Sequence, residues 1–67
     1  MKVRKEFLEK VKTNTNIRRK LGRGLELSDA SISRILRENK DNGDLTKIVA
    51  VQIMASELDI PESVILE

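Results

Sequence analysis

The chain has 67 residues, no cysteine, no histidine and a single aromatic residue, Phe7; 36% of it is charged, with a formal net charge of +2. This excludes disulfide staples, thiol chemistry and zinc sites built on Cys or His. It leaves a hypothetical enzyme only carboxylates, lysines and serines, in a chain with little room for a pocket.

No catalytic residue, cofactor, metal or small-molecule substrate is therefore expected. One domain spanning 1–67 is the most that this length supports, and a core this small leaves stability marginal, because only about 60% of the unfolded surface is buried. No window approaches the ~18 apolar residues of a membrane span. The opening "MKVRKEFLEKVK" lacks the apolar centre of a secretion signal. The expected compartment is the cytoplasm, with no membrane partner.

The small net charge hides an asymmetry. Residues 1–24 carry nine Lys/Arg against Glu6 and Glu9, whereas residues 25–67 carry four Lys/Arg against nine Asp/Glu. A basic half on a small domain points to a polyanion partner. Ordinary solubility charge is the alternative, and with one aromatic side chain, stacking on unpaired bases is nearly unavailable.

In chain order, residues 5–12 read as a first helix, with Phe7, Leu8 and Val11 on one face. Lys2, Arg4 and Lys5 before it fit either a basic arm or a frayed terminus. "TNTN" (13–16) is a break rich in capping residues. Ile17, Leu21 and Leu25 recur every fourth residue and predict a second helix, weakened by Gly22 and Gly24 at up to about 1 kcal/mol each. Ser28 is placed to cap a third helix over 28–39, and Asp29 favours the same start through the helix dipole.

In that third helix Ile32, Ile35 and Leu36 share a face, leaving Ser31, Ser33, Arg34 and Arg37 opposite. "ENKDNGD" (38–44) is a loop, with Asp44 as cap of a fourth helix over 45–58. That segment is apolar nearly all round and needs cover on two sides. Its β-branched "IVAVQI" would suit a strand, but fourteen residues without a breaker favour helix. Met54 reads as core. Pro61 suits the first position of a short fifth helix, "PESVILE".

The segment 18–37, "RRKLGRGLELSDASISRILR", resembles a helix-turn-helix of the phage repressor and Cro type. In the ungapped register Leu21 and Leu25 face inward, Gly22 is the small residue where two helices cross, Leu27 plugs the turn, and Ile32 and Ile35 pin the second helix. The family usually has glycine at the turn, where φ is often positive; this chain has Glu26. A second register takes Thr13 as cap and Gly22 in the turn, with "RGLE" inserted. The ungapped one places more apolar residues inward. "VQIMASELDIPESVIL" (51–66) is similar to the family's closing helices, so the resemblance covers residues 7–66.

The resemblance implies an all-α, five-helix domain of the lambda-repressor-like type, with motif 18–37, recognition helix 28–39 and closing or dimerisation helices 45–66. It implies a sequence-specific transcriptional regulator of double-stranded DNA, a homodimeric repressor in a bacterial or phage-infected cell. A recognition helix in a major groove benefits from short side chains on its front face. By position, Ser28, Asp29, Ala30, Ser33 and Arg34 would face base edges or nearby phosphates, with Arg34 suited to a guanine edge. Arg18, Arg19, Lys20, Arg23 and Arg37 would meet backbone phosphates. Dimerisation would use Val49, Ile53, Val64, Ile65 and Leu66.

Each residue also has a plainer role. Ser28 and Asp29 make a helix cap, Ser33 is a small surface residue, Arg37 with Asp41 is a surface i, i+4 pair, and "RRK" is a solvated face. On that view the chain is a protein-interaction module, antitoxin-like or anti-repressor, working through its apolar C-terminal segments.

Overall fold

A computed structural model describes all 67 residues. The chain is all-α: α1 Lys5–Lys12, α2 Thr15–Leu25, α3 Asp29–Glu38 and α4 Ile48–Leu58, with 3-10 turns at Asp44–Thr46 and Glu62–Val64. The expected fifth helix is absent. No helix is long and apolar enough to cross a membrane.

Polar side chains cap three of the helix ends. Thr13 closes α1, its hydroxyl donating to the carbonyls of Glu9 at 3.2 Å and Lys10 at 3.3 Å. Thr13 is thus no cap for α2; Asn14 is, its Oδ1 accepting from the Ile17 amide at 3.0 Å. Ser28 caps α3 as expected, accepting from the Ser31 amide at 3.2 Å. At the C-terminal ends, left-handed residues turn the chain: Glu26, Asn39 and Asp59, none of them glycine. After α2 and α4 the turn is a Schellman motif, with Leu27 N–H donating to Gly22 O at 2.9 Å and Ile60 N–H to Ala55 O at 3.0 Å.

The core is one cluster without a buried polar side chain, built on Val3, Val11, Ile17, Leu21, Ile32, Leu36, Met54 and Ile65. Leu25, expected to face inward, is only partly buried at its edge.

The fourth helix starts three residues later than expected, and the reason is geometric. Leu45 precedes Met54 by nine residues, two and a half turns at about 3.6 residues per turn, so an unbroken helix would point the two apart. The chain instead breaks at the extended Lys47 (φ −66°, ψ 148°), and the 3-10 turn before it buries Leu45. Asp44 caps nothing on α4; its carboxylate pairs with Lys47 Nζ at 3.2 Å. The break leaves Ile48 74% exposed and Val49 44% exposed.

The tail pairs with the start of the chain. Val3 and Leu66 form an antiparallel bridge, with Arg4 N–H donating to Ile65 O at 3.0 Å and Glu67 N–H to Lys2 O at 2.9 Å. Asn39, at the end of α3, continues the pairing with its side-chain amide. Its Oδ1 accepts from the Val3 N–H at 3.2 Å and its Nδ2 donates to the Val3 carbonyl at 2.9 Å. Residues 2–4 are therefore neither a loose arm nor a frayed end.

Candidate nucleic-acid interface

Helices α2 and α3 meet across a turn of three residues, Glu26–Ser28. Gly22 lies inside α2 and not in the turn. A Cβ there would stand 3.2 Å from the Leu27 carbonyl oxygen and 3.8 Å from Ile32 Cγ1, so a small residue is required for the approach. Glu26 takes the turn with φ 56° and ψ 45°.

Ile32, Ile35 and Leu36 hold α3 down, and at 3.6 residues per turn Ala30, Arg34 and Arg37 fall on the opposite line. All three are exposed, as are Ser28 and Asp29. Arg34 has a long contact to Glu38, 4.0 Å from Nε to Oε1, and Glu38 also faces Lys40 at 4.0 Å. Arg37 has no ion pair; the expected partner Asp41 faces the N-terminal ammonium and not Arg37. That ammonium, by hydrogen bond and charge, together with nearby Lys2, holds the Asp41 carboxyl below its ordinary value.

The basic residues of α2 divide into three directions. Arg18 turns inward as a tie between helices: it donates to the Lys12 carbonyl at 3.2 Å and to Ser33 Oγ, and lies 3.7 Å from Asp29 Oδ1. Ser33 and Asp29 are accordingly occupied by Arg18. Lys20 turns toward α4 and pairs with Glu57 at 2.9 Å. Arg19 and Arg23 have no carboxylate partner, and with Arg18, Gly22, Leu27 and Asp29 they line an open cleft of about 370 Å³ at the start of α3.

The five residues expected at a dimer contact do not form one surface. Ile65 is fully buried inside the monomer and presents nothing to a second copy. Val64 and Leu66 are half-buried, and Ile53 packs beside Gly24, where a Cβ would stand 2.7 Å from its Cδ1. Val49 is exposed, and its exposed neighbour is Ile48, which the sequence reading omitted. Its outward position follows from the helix period only once the break at Lys47 is known. Glu38, four residues after Arg34, was also passed over, although its i, i+4 spacing was readable.

No group of three or more acidic or metal-ligating side chains that could hold a metal is present. Comparison with known protein families, curated proteins and solved structures finds no match to this chain.

Proposed function

We propose that this protein is a sequence-specific double-stranded DNA-binding regulator that lays α3 in the major groove. The reading rests on one observation: α3 is anchored by three apolar residues and offers Ala30, Arg34 and Arg37 outward, with the unpaired Arg19 and Arg23 at its N-terminal end. The α2–turn–α3 unit then acts as a helix-turn-helix of the phage repressor and Cro type. Arg34 reads a guanine edge with two hydrogen bonds, Ala30 touches a thymine methyl, and Arg19, Arg23 and Arg37 neutralise phosphates. Ser28, through its cap, fixes the start of α3. Lys20, Arg18, Ser33 and Asp29 act mainly within the protein.

One α3 makes few base contacts, so two copies on paired half-sites supply the specificity. The dimer contact is centred on the exposed Ile48 and Val49, with the partly buried Ile53 at its edge and Ile65 removed. Bound over a promoter in the cytoplasm of a bacterial or phage-infected cell, the dimer represses by excluding polymerase.

Titration of a labelled random-sequence duplex, read by anisotropy at low and at moderate salt, tests the reading. Binding at low salt that weakens steeply as salt rises supports it; absence of binding at low salt refutes it. Exposed Ile48 favours a second reading, an interaction module that docks another protein through α4, and that outcome follows if the duplex is not bound.

A further inference from the structure

We infer that Lys2, Lys5 and Lys12 form a second phosphate-binding track, carrying the DNA contact from α2 along α1 beside α3. The inference rests on the DNA reading above and extends its footprint to residues outside the α2–α3 unit.

Three observations place the track. The first end of α1 is fixed to the residue that closes α3, because Asn39 pairs with both backbone groups of Val3 while Val3 bridges to Leu66. The other end is fixed to α2 and the middle of α3, because Arg18 joins the Lys12 carbonyl to Ser33 and Asp29. Helix α1 thus packs alongside α3, on the flank that carries Ser33. That same flank, at the start of α3, holds the cleft lined by Arg19 and Arg23.

The lysines on this flank make no close ion pair, although Lys2 lies near enough to Asp41 to act on its charge. Lys2, Lys5 and Lys12 line one cleft of about 280 Å³ together with Asn39, and none of the three has a carboxylate within ion-pair distance. Glu9 and Glu67 lie on the same cleft without pairing to them. A lysine on a loose terminus would lose its ordering entropy on binding, whereas these are carried by a pinned bridge and a helix. Two unpaired arginines at the start of α3, Lys12 beside its middle, and Lys2 and Lys5 toward its far end suit a run of phosphates on one strand. A single α3 of ten residues spans about 15 Å, comparable to the axial rise of about 14 Å from the first to the last of five successive phosphates on a strand.

The test compares the wild type, the triple variant Lys2→Gln/Lys5→Gln/Lys12→Gln, and Lys10→Gln, whose lysine is exposed on α1 outside the cleft. Affinity for one duplex is measured across a salt series, alongside thermal melting and selection of preferred sequences. Each phosphate contact contributes about 0.9 to the slope of log affinity against log salt. The triple variant is expected to lose roughly 2 to 3 units of slope with its sequence preference unchanged and its melting intact; Lys10→Gln should lose almost none. Wild-type binding with an unchanged slope in the triple variant overturns the track alone. An equal loss in Lys10→Gln overturns it too, by showing a general charge effect. A wild type that ignores duplex DNA at low salt overturns the DNA reading and the track together.

Discussion

Glu26→Gly should stabilise the protein, against the usual effect of adding a glycine. Glu26 holds the left-handed position that ends α2, at φ 56° and ψ 45°, and its side chain makes no hydrogen bond or ion pair, so the substitution removes no contact. An L-residue other than Asn or Asp in that conformation costs about 1–2 kcal/mol. Glycine relieves it but widens the unfolded ensemble, returning roughly 0.5–1 kcal/mol. The net gain lies between about 0 and 1.5 kcal/mol, centred near 0.75, which for a domain this small raises Tm by roughly 3–6 °C. Glu26→Gln separates geometry from charge, since it keeps the Cβ and loses the carboxylate; it should stay within about 0.5 kcal/mol of the wild type. Thermal and urea melts by circular dichroism give both values. A lower Tm for the glycine variant, or an equal rise for the glutamine variant, would refute the reasoning.

Arg18→Ala should lower the urea midpoint by releasing the tie among α1, α2 and α3, whereas Arg19→Ala should leave it unchanged and reduce the salt slope of duplex binding by roughly one unit. Gly22→Val should cost about 1–3 kcal/mol, because the backbone oxygen of Leu27 stands where the new side chain must go; a urea midpoint equal to that of the wild type contradicts this. Asn39→Ala removes two hydrogen bonds to Val3 and puts alanine at φ 41°; a loss of roughly 2–3 kcal/mol and faster amide exchange at Val3 are expected. Ile48→Ser with Val49→Ser should leave the helical circular-dichroism spectrum intact and shift sedimentation toward monomer; an unchanged sedimentation pattern rules this surface out as the dimer contact.

How far the sequence spoke differs from segment to segment. Helix α3 was fully legible, because its cap, its apolar period and its polar end fall within twelve consecutive residues. The turn at Glu26 was only half legible: the apolar residues on both sides allowed it, but a turn at Gly22 remained open, because a left-handed glutamate runs against the residue's own preference. The start of α4 was not legible. A stretch apolar all round gives no phase, so nothing local reveals that Leu45 and Met54 need a break between them to share a core. The tail "PESVILE" read as helix because its partner, Val3, is some sixty residues away, and pairing of that kind leaves no local signal.

The same limit shaped the candidate site. Spacing put Arg18, Arg19, Lys20 and Arg23 together as one basic group, yet their directions are set by what lies across the helix. Lys12 O and Ser33 draw Arg18 in, and Glu57 draws Lys20 to α4. Arg19 and Arg23 are left pointing outward. Ile65 failed as a contact residue for a related reason: the N-terminal segment covers it from a distance no pattern reports.

The sharpest test of sequence reading by α3 is parallel selection from a random duplex library with the wild type and with Arg34→Ala. The wild type should enrich a defined motif, and Arg34→Ala should lose preference at one base pair of each half-site, at a cost of about 1–3 kcal/mol for that base. An identical motif from both proteins would mean that α3 does not read the groove through Arg34.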